Sequence, residues 1–349
     1  MNFRSPDGPG SAIGLDLPQD RWRDENKRIA ATSTTLLAAV ASGALFFGAV
    51  PASALDLGSS APTATLTKTV VIGLDGTMLD FVKTADTPRL HQLMAEGTSG
   101  ISSIAGHPTI SGPSWSTILT GVWNTKHGVQ DNSFAGANYG EYPTAFTQLE
   151  KANQDLVTES IATWGGIATI AGSGMPKADV VTTTPGGVGE AATDTATATA
   201  VANEIATRGP DFIFTQLDQV DGAGHAVGTD GAEYAEALAR VDIEVGRIVD
   251  AVDKRAKDTG EKWTVLVTAD HGHKPTGGHG GQTPAEVTTF VIARGAGYAA
   301  GATDNGYTIA DITPTVLANL GVAVPGNLDG KPLAKTAPVL PDRVPSFGS

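Results

Sequence analysis

Residues 263–273 read Trp263-Thr264-Val265-Leu266-Val267-Thr268-Ala269-Asp270-His271-Gly272-His273, a strand-forming run that passes straight into a carboxylate and two imidazoles. A short apolar run without alternation is the pattern of a strand buried on both faces, as in a parallel sheet. Phe212-Ile213-Phe214-Thr215-Gln216-Leu217 leads in the same way into Asp218-Gln219-Val220-Asp221-Gly222-Ala223-Gly224-His225. Leu66 to Leu74, with Val70, Val71 and Ile72 as its apolar centre, ends in Asp75-Gly76. Further strands are expected at Thr158 to Thr163, Ala178 to Thr182 and Thr288 to Ala293. Helices are expected at Thr87 to Glu96, Glu190 to Thr207 and Gly231 to Lys257, the last with apolar spacing at Leu238, Val241, Ile243, Val245, Ile248 and Val252. Strands alternating with long helices predict an α/β fold, a mostly parallel central sheet with helices on both faces. The Ala/Thr-rich stretch Ala191 to Ala202 reads as a surface helix.

Open sheets of this kind bind ligands outside the carboxyl ends of their strands. Three strands here deliver Asp and His to that edge, and Gly277-Gly278-His279-Gly280-Gly281 follows the third. The chain has no cysteine, so any metal must be held by imidazoles and carboxylates. Such a set suits divalent ions that keep positions open for substrate, and two ions about 3.5–4 Å apart would bind the entering and leaving oxygens of an in-line displacement.

The nucleophile for such chemistry is sought in His107-Pro108-Thr109-Ile110-Ser111-Gly112-Pro113-Ser114-Trp115-Ser116-Thr117-Ile118-Leu119-Thr120-Gly121. This reads as a loop turning into a short helix, with Ser111 just before the first turn and Pro113 where a missing N–H costs nothing. A hydroxyl there faces the positive end of the helix dipole and unpaired N–H groups, which favour an alkoxide and a bound phosphate. Serine is also an ordinary N-cap, and it is the company of the three strand ends that marks Ser111 as the candidate nucleophile. His91 is expected on a helix surface, and His127 is expected to brace the turn before Asn132.

With 349 residues and a formal net charge of -14, the chain is long enough for one large domain and has no basic stripe to neutralise a nucleic acid. Arg21, Arg23, Lys27 and Arg28 precede an apolar run from Leu36 to Val50 and then Pro51-Ala52-Ser53-Ala54, the layout of a secretory signal with an A-x-A-type cleavage site. The expected organisation is an N-terminal extension and signal peptide over 1–54, a linker over 55–67, a single catalytic domain over 68–335 and a tail over 336–349. A secreted or cell-envelope protein with no stable membrane span after signal cleavage follows from it.

At these residues the chain resembles the alkaline phosphatase superfamily, most closely its type I phosphodiesterase and nucleotide pyrophosphatase branch. The resemblance runs from about Val70 to Leu333 and includes Ile309-Ala310-Asp311-Ile312-Thr313-Pro314-Thr315-Val316-Leu317 and Leu328-Asp329-Gly330-Lys331-Pro332-Leu333. It implies a three-layer sandwich and a hydrolase of small phosphate esters using two divalent ions, with zinc expected. It puts Asp75, Ser111, Asp270 and His271 around one ion and Asp221, His225 and His279 around the other, with His273 as a competitor for the place of His279. Asn132 and the Gly112 backbone N–H would hold a phosphoryl oxygen. The branch commonly uses Thr where this chain has Ser111, the residue used by phosphomonoesterases of the same superfamily.

Ser111-Gly112-Pro113-Ser114-Trp115 also resembles the sulfatase maturation signature, but Trp115 stands where that signature needs Arg. Near Ser111 only Lys126 offers a cation for a monoester dianion, while Trp115, Trp123, Phe134 and Tyr139 are candidates for an apolar leaving-group slot. Trp115 and Trp123 fit equally well as helix-packing residues. The balance leans toward diesters, with a phosphomonoesterase using the same site as the alternative and a sulfatase or a non-catalytic metal-binding surface protein as the lesser ones.

Overall fold

The computed structural model describes residues 67–335. The export segment, its cleavage site, the linker up to residue 66 and the tail from residue 336 lie outside the described residues. In chain order the strands are β1 Lys68–Leu74, β2 Thr98–Ser103, β3 Thr158–Ala162, β4 Val180–Thr183, β5 Phe212–Leu217, β6 Trp263–Thr268, β7 Thr288–Arg294 and β8 Ala302–Thr303. The α-helices are α1 Leu79–Val82, α2 Pro88–Glu96, α3 Ser111–Thr120, α4 Asn124–His127, α5 Ala145–Ala152, α6 Gly165–Ala171, α7 Glu190–Thr207, α8 Gln219–Val227, α9 Ala232–Thr259 and α10 Ile312–Asn319.

All eight strands join one sheet in the order β4-β3-β5-β1-β6-β7-β2-β8. β1 pairs in parallel with β5 and β6, Leu74 opposite Leu217 and Gly73 opposite Thr268. That register brings the residues following β1, β5 and β6 to one edge side by side, which is where Asp75, Asp218 and Asp270 stand. β7 runs antiparallel to both β6 and β2, so the sheet is mixed but mostly parallel, as expected.

The central strands read as continuous apolar runs because each buries both faces. Val71, Phe212, Phe214, Leu266 and Val291 pack on one side with residues of α3, α5, α6 and α10. Val70, Ile72, Ile213, Val265, Val267 and Ile292 pack on the other with α2, α7 and α9. Neighbouring residues of one strand thus feed opposite layers, the period-two consequence of the pleat.

Three local expectations are revised. β2, with the sequence TSGISS, gives no apolar run and was not expected as a strand; it forms because β7 supplies six paired positions from Thr98–Ala293 to Ser103–Thr288. Ser111 is the first helical residue of α3 rather than its cap, which is Ile110 in extended conformation. The Ala/Thr-rich α7 is no mere surface helix, for it buries Asp194, Thr197, Ala198, Val201 and Ile205 against the sheet and α9.

Candidate active site

Ser111 opens α3 at the sheet edge where β1, β5 and β6 end, and its side chain is almost wholly buried. Its Oγ lies 3.4 Å from Nε2 of His271. The same Nε2 is 3.2 Å from Asp270 Oδ2 and 3.6 Å from Asp75 Oδ1. Ligand atoms about 2.0–2.2 Å from a tetrahedral ion sit roughly 3.3–3.6 Å from one another, so these spacings are those of a metal's ligand set. Asp75 Oδ1 and Asp270 Oδ2 are also buried with no hydrogen-bond partner among the described residues. Buried polar atoms are otherwise nearly always paired, so two orphaned carboxylate oxygens facing one imidazole nitrogen are donors of the kind a divalent cation takes. The residues fit a divalent ion.

A second set lies alongside. His279 Nε2 is 3.0 Å from His225 Nε2 and 3.6 Å from Asp221 Oδ1, while His225 Nε2 is 3.4 Å from Asp221 Oδ2. Two imidazole nitrogens pointing at each other beside a carboxylate again fit a cation between them. The seven residues that the resemblance names lie together at this edge, and the side chains that could share an ion include Asp75 with Asp270 and His271, and Asp221 with His271, His273 and His279.

Hydrogen bonds to the far ring nitrogens fix which imidazoles present lone pairs. His279 Nδ1 donates to the Thr109 carbonyl at 2.7 Å and His271 Nδ1 to the Gly272 carbonyl at 3.3 Å, so each Nε2 is free to coordinate. His273 is the reverse case. Its Nε2 is 2.8 Å from Asp221 Oδ1, a hydrogen-bond distance, and its buried Nδ1 has no partner among the described residues. His273 thus donates to Asp221 and orients it, while its ring stands in the same group of potential ligands as Asp221, His271 and His279. The ring is wholly buried and lies so close to Gly76 and Gly224 that a Cβ on either would come within 2.5 Å of it.

Electrostatics follow from crowding charges of one sign in a dry place. Burial, then the neighbouring Asp270 and Asp221, push Asp75 well up, and burial with Asp221 does the same to Asp270. Burial pushes His271 well down and His279 down. Burial acts to raise Asp221, but the His273 hydrogen bond and the surrounding imidazoles outweigh it and hold the carboxyl at about 2. Neutral imidazoles and carboxylates short of positive partners are the state that bound cations relieve.

Asn132 meets the nucleophile loop as expected, with one revision. The Gly112 N–H donates to Asn132 Oδ1 at 2.7 Å, so it is engaged within the protein, and what Asn132 can offer a phosphoryl oxygen is its Nδ2. The apolar slot is also revised. Trp115 is wholly buried and donates its indole N–H to Asp75, and Tyr139 is buried against the Ser116 hydroxyl at 2.7 Å. Trp123 stacks on His107 with centroids 3.8 Å apart, and Phe134 packs near Trp164 at 5.9 Å. Lys126 is no free cation, since its Nζ donates to Asp329 at 2.5 Å and to the Asn327 carbonyl at 2.8 Å. His127 does brace its turn, accepting from Val129 N–H at Nδ1, while the exposed His91 bonds to the Val82 carbonyl.

The sequence did not single out Gln216 or Asp194. Gln216 Nε2 donates to Asp75 Oδ2 at 2.8 Å and to Asp218 Oδ1 at 2.7 Å. Asp194 accepts the N–H groups of Asp218 and Gln219 and so anchors the start of α8, whose first turn presents Asp221. A lone amide inside an apolar strand and a lone acid inside an Ala/Thr helix were the available signals.

The sequence model described as type I phosphodiesterase / nucleotide pyrophosphatase matches residues 69–300. A 2,3-bisphosphoglycerate-independent phosphoglycerate mutase of Shewanella baltica is 34% identical over 130 residues, 35% of this chain and 23% of that protein. The chain spans less than half the length of the curated relatives it matches. Among solved structures, murine ectonucleotide pyrophosphatase / phosphodiesterase 5 superposes with a TM-score of 0.58 at 13% identity, covering 75% of this chain and 97% of that one. A 2-O GAG sulfatase superposes with a TM-score of 0.60 at 15% identity, covering 77% and 73%. These likenesses establish a common fold.

Proposed function

The chain belongs to the type I phosphodiesterase / nucleotide pyrophosphatase family, and we propose that it is an exported two-metal hydrolase of phosphoric esters that prefers diesters and works through a phosphoseryl intermediate. The observation that carries this reading is the Ser111 hydroxyl 3.4 Å from His271 Nε2, beside the orphaned oxygens of Asp75 and Asp270. Asp75, Asp270, His271 and Ser111 would hold one ion and Asp221, His225 and His279 the other, zinc being the metal that this nitrogen and oxygen set suits. When bound, the ions supply positive charge to the entering and leaving oxygens and lower the pKa of the serine hydroxyl.

The chain's own groups do the rest. The Ser111 Oγ attacks phosphorus as its proton passes to solvent; the Oγ–P bond forms as the bond to the leaving oxygen breaks, and that oxygen takes a proton from solvent to depart as the alcohol. Water then attacks the same phosphorus, and the Oγ–P bond breaks to regenerate the serine. Asn132 Nδ2 holds an equatorial phosphoryl oxygen, and the α3 N-terminus lends its dipole to the charge that builds there. The thread Thr109 carbonyl, His279 Nδ1–H keeps the imidazole aimed during both half-reactions.

Two features favour diesters over the other ester classes. Lys126 is engaged by Asp329, which removes the cation a monoester dianion would need from the sequence's one candidate. Trp115 fills the place of the arginine in the sulfatase signature and commits its N–H to Asp75, so Ser111 lacks the surroundings for oxidation to formylglycine. The apolar N-terminal run supports export.

The test is a panel on purified mature protein with an aryl phosphodiester, an aryl phosphomonoester and an aryl sulfate, each with and without chelator. Chelator-sensitive turnover that is highest on the diester is expected. A large excess of monoester over diester turnover would reassign the protein as a phosphomonoesterase, and activity on the sulfate alone would overturn the proposal.

A further inference from the structure

We infer that Trp115 and Gln216 are positioning residues that convert Asp75 into a one-oxygen metal ligand, tying the helix of the nucleophile to the strand end that carries that ligand. This rests on the two-metal reading above and adds a role for two side chains that touch neither substrate nor ion.

Asp75 has two chemically equal oxygens with unequal fates. Oδ2 accepts the Trp115 indole N–H at 2.8 Å and the Gln216 amide at 2.8 Å. Oδ1 accepts nothing among the described residues and is the oxygen 3.6 Å from His271 Nε2. With one oxygen saturated by two donors the carboxylate plane cannot turn, and chelation through both oxygens is closed off.

Both donors are themselves locked. Gln216 is wholly buried in β5; its Oε1 accepts the Trp164 N–H at 2.9 Å, which settles which end of the amide is nitrogen. Trp115 is wholly buried, edge-on to Phe214 with centroids 5.7 Å apart, and its ring lies over Gly73, where an added Cβ would come within 2.4 Å. Gly73 and Asp75 point to the same side of β1, so the glycine clears the space through which the indole reaches the carboxylate. Trp115 follows Ser111 by four residues, one helical turn, and the two share a face of α3. A shift of α3 that moved the nucleophile would therefore pull on Asp75, and the reverse.

The test uses Trp115→Phe, which keeps the ring and removes the N–H, and Gln216→Leu, which keeps the bulk and removes the amide. Metal content and affinity are read by titrating the metal-free proteins with Zn against a competing chromophoric chelator, and with Co(II) by visible absorption. Outer-shell changes of this kind cost about 10–100-fold in metal affinity. Each variant is expected to melt, metal-free, close to the parent, to keep one ion at parental affinity and to hold the other 10–100-fold more weakly, with an altered Co(II) spectrum. Should one variant fail to fold, the other decides. Two ions at parental affinity and an unchanged spectrum in both variants would overturn the inference while leaving the two-metal reading intact; a parent protein that binds no metal would overturn both.

Discussion

The Oγ of Ser111 sits 3.4 Å from Nε2 of His271, with the ring's Nδ1–H committed to the Gly272 carbonyl. The imidazole therefore presents a lone pair, not a proton, to the same point in space as the hydroxyl. A shared cation is the simplest occupant of that point. Ser111→Ala is expected to lower kcat on an aryl diester by a factor on the order of 10³ or more, with metal content preserved by Asp75, Asp270 and His271. Ser111→Thr, which keeps a hydroxyl, is expected to retain part of the activity. Turnover in Ser111→Ala within tenfold of the parent would remove the serine from the mechanism.

His273 stands apart from the other imidazoles because its hydrogen-bonded nitrogen is the one facing the site. Its Nε2–H holds Asp221 Oδ1 at 2.8 Å. His273→Ala is expected to weaken one ion about 10–100-fold and leave the other in place. His273→Gln, which restores an N–H donor, is expected to recover part of the loss. Equal metal affinity in all three proteins would show that Asp221 needs no such partner.

Most of this architecture could be read from the chain because apolar runs ending in Asp are both a fold signal and a site signal. β1, β5 and β6 were legible from Val70–Ile72, Phe212–Phe214 and Val265–Val267, and the parallel register then placed their terminal carboxylates together. β2 was not legible, because a strand of Ser, Thr and Gly owes its form to its partner β7 rather than to its own residues. Within the site, the candidate metal-binding side chains could be named from the chain and the side chains that orient them could not. Trp115 and Gln216 have the composition of ordinary core positions, and nothing local says that their N–H groups converge on a single oxygen 141 residues from one and 40 from the other.

His127 makes stability depend on pH on the acid side. The ring is wholly buried, its Nδ1 accepts the Val129 N–H and its Nε2 lies 3.1 Å from Thr117 Oγ1, so it is neutral in the fold. Burial pushes it down to about 4 from 6.5. A depressed value means that the unfolded chain takes up the proton first. The His127 contribution is then complete above pH 6.5 and is lost progressively as pH falls toward 4, by on the order of 2–3 kcal/mol. Urea unfolding of the parent and of His127→Gln at pH 7 and pH 4 isolates it, since the other histidines are common to both. A difference between the two proteins that does not change with pH would contradict the assignment.

Glu159 works in the opposite direction. It is wholly buried in β3, neither Oε has a hydrogen bond among the described residues, and the nearest cation is Arg208 Nη1 at 3.3 Å. Burial, reinforced by Glu204 and only partly offset by Arg208, pushes its carboxyl up to about 7 from 4.5. A raised value in an acid means that the folded protein holds the proton more tightly than the unfolded chain does. Stability is therefore greatest below pH 4.5, declines as pH rises toward 7 and is level beyond. Glu159→Gln supplies a permanently neutral side chain of the same shape, so it is expected to match the parent near pH 4.5 and to exceed it at pH 8 by about 1–3 kcal/mol, the upper end being reduced by the half-exposed arginine. Thermal melts of both proteins at the two pH values measure the difference. A variant less stable than the parent at pH 8 would mean that the pair with Arg208 outweighs the cost of burying the charge, reversing the sign argued here.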